Sequence, residues 1–281
     1  MSDPLPFLTR FAPAPTGYLH LGHVLSALWV WETARAAGGR VLLRIEDHDR
    51  QRSRPEYAQA LLEDLAWLGF EPDGPVVRQS EREPVYREAL ARLVAAGLVY
   101  GCSCTRSDLQ RVEPGPGGER RYPGTCRDRG LSLVEGVGWR VRVAPGVESF
   151  MDARLGPQAQ APAEQCGDLL IRDRLGNWTY QFAAVADDTA QGITDVIRGE
   201  DLLVSTGRQI RLARLLGRAE PPRFLHHPLV MASASEKLSK SDGATGVREL
   251  RTAGWSAADV IARVREKGPA PLSTFRDKSD G

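Results

Sequence analysis

The sequence lacks a long hydrophobic run and an excess of charge of either sign. No stretch approaches the roughly 18 apolar residues expected of a membrane-spanning helix. The first residues, MSDPLPFLTR, lack the basic region and apolar run of a signal peptide. The formal net charge is only +1, so any nucleic-acid contact must come from local clusters. We therefore expect a cytoplasmic protein with no membrane partner.

Cysteine is scarce, and its four positions are unevenly spaced. Cys102, Cys104 and Cys126 are close in sequence, whereas Cys166 is well apart. In a cytosolic chain, clustered thiols indicate a metal site before they indicate disulfides. Zinc prefers four tetrahedral ligands, and these three thiolates supply three. Three reduced structural thiols without metal remain the alternative, and Cys166 is predicted to be an inert buried thiol.

The N-terminal third predicts a parallel sheet. PFLTRFAP is a short apolar segment typical of a buried strand, and PAPTG forces a turn. Apolar residues then recur at helical spacing from His20 to about Ala37, and RVLLRIED follows as a second strand. Strand, loop, helix and strand in this order begin a doubly wound sheet. Further helices are predicted from Pro55 and over residues 81–96.

The composition changes between residues 102 and 166, which are rich in Gly, Pro and Arg. We predict an α/β fold, with a Rossmann-type doubly wound parallel sheet interrupted by a zinc-containing α+β subdomain. The nucleotide-binding catalytic domain would comprise residues 1–101 and 167–230, and the insertion residues 102–166. A short C-terminal segment, 231–281, carries KLSKS and holds no anticodon-binding domain.

Two short motifs predict a nucleotide site. In HLGH, His20 and His23 share one face of a helix's first turn, and Gly22 permits close approach to the backbone. In KLSKS, Lys237 and Lys240 would neutralise departing pyrophosphate. A capping histidine pair and a solvated basic loop are the alternatives. As a pair, the motifs predict ATP binding by His20, Gly22, His23 and Lys240, with catalysis by His20, His23, Lys237 and Lys240.

HLGH and KLSKS resemble the HIGH and KMSKS signatures of class I aminoacyl-tRNA synthetases. The blocks RFAPAPTGYLHLGH, LLRIEDHD, WTYQFAAVADD and ITDVIRGEDLL resemble the glutamyl-tRNA synthetase family, in that family's order. The resemblance runs from about Arg10 to Lys240. It implies that the chain activates an amino acid as its adenylate, using ATP with Mg²⁺.

The same resemblance implies a glutamate site. Arg10 would meet a substrate carboxylate, and Glu46 would take the substrate ammonium group. Tyr180 and Arg198 would recognise the side chain, and two cations there favour glutamate over glutamine. Surface arginines, a capping carboxylate and a core tyrosine are the alternatives. The glutamate-binding residues implied are Arg10, Phe11, Ala12, Pro13, Ala14, Glu46, Tyr180 and Arg198.

Two further features resemble the glutamyl-Q tRNA(Asp) synthetase family, the short paralogues of glutamyl-tRNA synthetase. The first is the arrangement Cys102, Cys104, Tyr122 and Cys126, which implies one structural Zn²⁺ despite the unusual phenol ligand. The second is that only 40 residues (242–281) follow Ser241, too few for an anticodon-reading module.

That family transfers glutamate to queuosine in the anticodon of tRNA(Asp) and activates it without RNA. The implied partners are L-glutamate, ATP and queuosine-bearing tRNA(Asp), and we expect a monomer. Rivals are a glutamyl-tRNA synthetase core charging a tRNA 3′ end and a non-catalytic RNA-binding paralogue. Candidate RNA-backbone contacts in the insertion are Arg106, Arg111, Arg120, Arg121, Arg127 and Arg129.

Overall fold

The computed structural model describes residues 6–49, 51–114, 118–229 and 246–268. The strands in these ranges are β1 Leu8–Phe11, β2 Arg40–Ile45, β3 Val77–Arg78, β4 Val99–Cys102, β5 Gly138–Val141, β6 Glu148–Asp152, β7 Gly156–Gln160, β8 Leu169–Arg172, β9 Asp195–Gly199 and β10 Arg223–His227. The α-helices are α1 Leu21–Ala36, α2 Pro55–Trp67, α3 Glu83–Ala95, α4 Arg106–Gln110, α5 Pro162–Gln165, α6 Tyr180–Ala190, α7 Thr206–Leu215, α8 Val247–Thr252 and α9 Ala257–Lys267.

The first half of the catalytic sheet is parallel, in the order β1-β2-β3. In β2, alternate residues Val41, Leu43 and Ile45 are buried. Helix α1 connects β1 to β2 and is buried on most of its circumference, as expected of a central crossover helix. This arrangement confirms the predicted strand, loop, helix and strand.

The second half places β9 and β6 on either side of β10, all parallel, with β7 antiparallel to β6. The amide of Thr194, just before β9, donates to the carbonyl of Leu8 in β1 at 2.9 Å. The two halves therefore meet at β1 and β9. The carboxyl ends of parallel strands, where α/β sheets bind ligands, share one edge of this platform.

Strands β6 and β7 come from residues 148–160, inside the stretch predicted to be an insertion, yet β6 pairs with the catalytic strand β10 and β7 extends the same sheet. A separate antiparallel sheet, in the order β4-β5-β8, combines β5 of the predicted insertion with two strands from either side of it. No sequence pattern indicated which sheet the 148–160 hairpin would join.

The C-terminal helices pack against α1. Val260 and Val264 of α9 are fully buried in the same core as Leu25 of α1. The FLHH segment lies in strand β10, and the helix that follows Ser256 is α9. Among the described residues, no helix is both long and apolar enough to span a bilayer.

Candidate active site

The two histidines of HLGH cap the N-terminus of α1. His20 is the N-cap residue, and its Nδ1 accepts from the Gly22 amide at 3.1 Å. The Nδ1 of His23 accepts from the His20 amide at 3.2 Å. Because each Nδ1 accepts a hydrogen bond, a neutral ring carries its proton on Nε2. Both rings therefore present an Nε2–H donor at a helix N-terminus, which favours anions.

Gly22 lies beneath the His20 ring. A Cβ at this position would approach the His20 Cε1 to 2.9 Å and displace the imidazole. The sequence analysis explained Gly22 by the close approach of a nucleotide to the backbone. The contact that excludes a side chain in this structure is instead within the motif itself.

The KLSKS motif, including Lys237 and Lys240, lies outside the described residues. The chain on both sides of 230–245 contacts the HLGH helix. Before it, the His227 Nε2 lies 3.1 Å from the Ser26 hydroxyl of α1. After it, the Val247 amide donates to the Leu19 carbonyl at 2.9 Å, and Gly246 bridges to His20.

Arg10, Glu46, Tyr180 and Arg198 converge at one edge of the sheet. Arg10 is on β1, Glu46 follows β2, Tyr180 begins α6 and Arg198 is on β9. The charges of Arg198, Glu46 and Arg10 all affect the pKa of the Tyr180 phenol, which places these groups within electrostatic range of it. Burial raises the pKa of Tyr180 further above neutrality, so its hydroxyl stays protonated and can donate.

Phe11, the last residue of β1, and the loop 12–14 lie beside this group. Phe11 is buried and packs edge-on against Trp31, with ring centroids 5.5 Å apart. The carbonyl of Pro13 accepts from the Glu46 amide at 3.0 Å, which fixes the loop beside Glu46. Ala12 is half-buried and Ala14 is exposed.

Arg10 belongs to a buried ionic network that the sequence analysis missed. Its Nε donates to Asp188 Oδ1 at 2.9 Å, and Arg44 Nη1 donates to the same oxygen at 2.8 Å. Arg44 also lies 3.4 Å from Glu46 Oε1 and 3.9 Å from Asp187 Oδ2. Arg44 and Asp187 are fully buried.

The pKa values in this network follow from burial opposed by charge. Burial would raise the pKa of Asp188, but the Arg10 and Arg44 guanidinium groups lower it to about 2. Burial raises the pKa of Glu46 against the opposing effect of Arg44. The signal in the sequence was the Asp187-Asp188 pair at the end of an otherwise apolar helical segment, where carboxylates are retained when they have partners.

Arg198 is also buried, but its fixed partners are neutral. Its Nε donates to His226 Nε2 at 3.0 Å. Its Nη1 donates to Gln209 Oε1 at 2.6 Å and its Nη2 to Thr206 Oγ1 at 2.8 Å. Within the described part of the chain, no carboxylate oxygen lies within 4 Å of this guanidinium. Burial lowers the pKa of Arg198, which is the effect of a cation lacking a close counter-ion.

The thiol cluster, Cys102, Cys104 and Cys126, is compact. The three sulfur atoms lie within 4.8 Å of one another, and those of Cys104 and Cys126 are 3.6 Å apart. Sulfur ligands on one tetrahedral zinc are separated by roughly 3.8 Å. The Tyr122 oxygen lies 3.4 Å from Cys102 Sγ, so it adjoins the thiols. These donors fit a zinc ion, and Cys166 lies outside them, donating to the Pro162 carbonyl at 3.1 Å.

The thiols differ in acidity. Burial raises the pKa of Cys126, but hydrogen bonds, chiefly from Ser103, lower it to about 6. Burial and the bond to Cys126 raise the pKa of Cys104 to about 11. The Tyr122 oxygen accepts from the Cys126 amide at 2.8 Å, which holds the phenol beside the thiols.

A cavity of about 570 Å³ lies between the catalytic sheet and the insertion. One wall is His48, two residues beyond Glu46, and another is the Arg172 guanidinium. That guanidinium lies 4.6 Å from the ring centroid of Trp139 and 5.0 Å from that of Trp178. The cavity therefore joins the Glu46 edge to a surface of aromatic rings and cations.

The insertion arginines are mostly at the surface. Arg127 is half-buried, with Nη1 3.5 Å from Asp168, and Arg121 donates to the Ala163 carbonyl at 2.7 Å. The exposed members are Arg106, Arg111, Arg120, Arg121 and Arg129.

The chain is similar to known proteins. Residues 6–269 match the family of class I tRNA synthetases (E and Q), catalytic domain. Glutamyl-Q tRNA(Asp) synthetase of Bordetella bronchiseptica is 48% identical over 243 residues, covering 85% of this chain and 76% of that protein. The Rhodobacter capsulatus protein of the same name is 42% identical over 273 residues, covering 90% and 98%.

Solved structures of tRNA synthetases are similar to this chain as well. The crystal structure of glutamate-tRNA synthetase from Elizabethkingia anophelis superposes with a TM-score of 0.71 at 30% identity. The match covers 89% of this chain but only 54% of that protein, so this chain spans about half its length. A putative arginyl tRNA synthetase from Campylobacter jejuni, 11% identical with a TM-score of 0.51, shares the fold alone. The chain belongs to the class I tRNA synthetases and, within them, to the glutamyl-Q tRNA(Asp) synthetase family.

Proposed function

We propose that this chain activates glutamate with ATP, without needing RNA, and transfers it to queuosine in the anticodon of tRNA(Asp). The observation that carries the glutamate assignment is Arg198, a buried cation whose fixed partners are neutral. Such a cation is stabilised by a substrate carboxylate, whereas the neutral amide of glutamine would leave it without a counter-ion. The assignment of queuosine in tRNA(Asp) as the acceptor of glutamate rests on the names of the relatives.

In this proposal, Arg198 and Tyr180 bind the substrate side-chain carboxylate, with Arg10 adding a second cation. Glu46 takes the ammonium group, exchanging its contact with Arg44 for one with the substrate. The pocket is lined below by the loop Phe11, Ala12, Pro13 and Ala14. Fixed partners hold the arginines before substrate arrives, which reduces the ordering cost of binding.

Activation is an attack of the substrate α-carboxylate on the α-phosphorus of ATP, with pyrophosphate as the leaving group. No general base is needed, so catalysis consists of alignment and charge stabilisation. The Nε2–H groups of His20 and His23 donate to phosphate oxygens, and Lys237 and Lys240 neutralise the leaving pyrophosphate. Magnesium bound with ATP supplies further neutralisation of phosphate charge.

The cavity beside His48 supports binding of an RNA loop next to the adenylate. Unstacked bases are recognised by aromatic rings and guanidinium planes, and Trp139 and Arg172 supply one of each. A hydroxyl of the acceptor attacks the adenylate carbonyl, forming an ester and releasing AMP. The exposed insertion arginines are candidates for contacts to the RNA backbone.

We also propose one structural zinc held by Cys102, Cys104, Tyr122 and Cys126. The thiol separations support the site, and the insertion strands surround it. Cys104→Ser should reduce bound zinc to well below one per chain and increase proteolysis of residues 102–166. Metal content by mass spectrometry tests this, with Cys166→Ser as the matched control that keeps its zinc. Wild-type protein purified without metal would contradict the site.

Two assays test the main proposal. Glutamate should support pyrophosphate exchange without added RNA, and glutamine should support it at least roughly a hundredfold less efficiently. Labelled glutamate should then be transferred to tRNA(Asp) that carries queuosine and not to the same tRNA lacking it. Equal transfer of labelled glutamate to both tRNAs would instead indicate an enzyme that charges the 3′ end. In that case, removing the 3′ adenosine of the tRNA would release the label. No exchange with any amino acid would indicate a non-catalytic paralogue.

A further inference from the structure

His226 on β10 is fully buried, lies next to the proposed pocket, and has no role in the chemistry described above. Its Nδ1 lies 2.6 Å from Asp152 Oδ2, and its Nε2 lies 3.0 Å from Arg198 Nε. The ring therefore connects a buried carboxylate on β6 to the cation on β9. The sequence analysis assigned His226 no function.

Hydrogen-bond polarity fixes the tautomer of this histidine. Arg198 Nε is a donor in every protonation state, so His226 Nε2 must be the acceptor. The ring proton then lies on Nδ1 and is donated to Asp152. Thr206 is compatible with this polarity, since its hydroxyl accepts from Arg198 Nη2 and lies 3.1 Å from His226 Nε2.

Asp152 is itself held by the backbone. Its Oδ1 accepts from the amides of Arg154 and Leu155, at 3.1 and 2.9 Å, and its Oδ2 accepts from the His226 amide at 3.0 Å. A carboxylate held by backbone amides stays ionised and is an acceptor only. It cannot offer a proton to Nδ1, so the alternative tautomer of His226 is excluded.

We propose that Asp152 and His226 form a positioning pair, which locks His226 as the neutral Nδ1–H tautomer and thereby aims Arg198 at the substrate side-chain carboxylate. This inference rests on the proposed role of Arg198 in glutamate binding. His226 is a positioning residue, because it acts on the substrate through Arg198. A neutral acceptor orients the guanidinium without cancelling its charge, which a carboxylate in the same place would do.

Protonation of His226 would abolish this arrangement. The charged groups that face it are Asp152 on β6, Arg154 just after β6, and Arg198 on β9, while Thr206 of α7 is neutral. An imidazolium would present a donor and a second positive charge to Arg198. Burial lowers the pKa of His226, so the ring remains neutral at physiological pH. Glutamate affinity should therefore weaken only on acidification.

The test is glutamate-dependent pyrophosphate exchange by His226→Leu, which removes the acceptor at similar volume. We expect KM for glutamate to rise roughly tenfold or more, with kcat and KM for ATP changed less than roughly threefold, since a ground-state contact is disturbed. His226→Gln restores an acceptor and should recover most of the affinity. His227→Leu, an equally buried neighbour that faces Ser26, is the matched control and should leave KM for glutamate unchanged.

The pH profile separates positioning from packing. Because burial lowers the pKa of His226, wild-type KM for glutamate should rise only at pH values below the ordinary histidine pKa of about 6.5, whereas that of His226→Leu should be high and flat. If His226→Leu does not fold, as judged by circular dichroism, Asp152→Asn and His226→Gln carry the test. Asp152→Asn allows the wrong tautomer and should raise KM for glutamate, as His226→Leu does.

Unchanged KM for glutamate in a folded His226→Leu or Asp152→Asn protein would overturn the positioning role. So would parallel pH profiles of wild type and His226→Leu. These results differ from failure of the proposed function, in which the wild-type enzyme itself would show no glutamate-dependent exchange.

Discussion

Arg10 and Arg198 lie on the neighbouring strands β1 and β9, yet their surroundings are opposite in charge. Arg10 shares the carboxylate of Asp188 with Arg44, whereas Arg198 is held by an imidazole, an amide and a hydroxyl. The first arrangement, the closed network, stabilises the fold and compensates part of the charge of Arg10, which is therefore only the second cation of the proposed pocket. The second leaves a positive charge for a ligand. Two residues of one type can thus differ in role because their partners differ.

The largest expected effect is on the closed network. Asp188→Asn leaves Arg10 and Arg44 with reduced compensation, and the free energy of unfolding should fall by about 3–5 kcal/mol. Urea denaturation measures the change. Asp73→Asn is the matched control, because Asp73 pairs with the largely exposed Arg35 and should cost less than about 1 kcal/mol. An equal loss in both variants would remove the distinction between the two kinds of pair.

Arg198→Leu should reduce activity more than stability, in contrast to Asp188→Asn. Its partners are neutral, so its removal should reduce kcat/KM for glutamate in pyrophosphate exchange by roughly a hundredfold or more. The free energy of unfolding should fall by only about 1–3 kcal/mol, the cost of the acceptors left without a donor. A variant that loses stability as Asp188→Asn does but keeps its glutamate exchange would contradict the comparison.

Acid should weaken the closed network further. The pKa of Asp188 is about 2 in the fold and 3.8 in an ordinary aspartate. A lowered pKa contributes stability above the unfolded value, and that contribution is lost as pH falls from about 4 towards 2. About 2 kcal/mol of the stability difference between wild type and Asp188→Asn should disappear across this window. A stability difference between the two proteins that does not change with pH would show that the charge of Asp188 does not contribute to stability.

The sequence predicted the parallel strands and their helices because apolar periodicity and turn residues are local properties. It also indicated HLGH as a phosphate-binding helix start, since the motif follows a strand and a turn. It did not indicate that the two histidines cap α1 through Nδ1, because that depends on ring orientation. Nor did it indicate the 148–160 hairpin as part of the catalytic sheet, since sheet membership is decided by distant partners.

The resemblance supplied Arg10, Glu46, Tyr180 and Arg198 as site residues, and the structure places them together at one sheet edge. It supplied neither Asp188 nor His226. Asp188 is separated from Arg10 by 178 residues along the chain, and His226 from Asp152 by 74. Pairings at such separations arise only when strands and helices from different parts of the chain pack against each other.

By itself, then, the sequence determined the α/β class, the HLGH and KLSKS motifs, and the residue types available for a carboxylate-binding pocket. Only the tertiary structure decided which arginine is paired with a carboxylate and which has neutral partners. That outcome depends on whether the atoms within about 3 Å of each guanidinium are carboxylates or neutral acceptors. The positions of the cations can be read from the sequence, but their partners depend on the packing of β6, β9, β10 and α6.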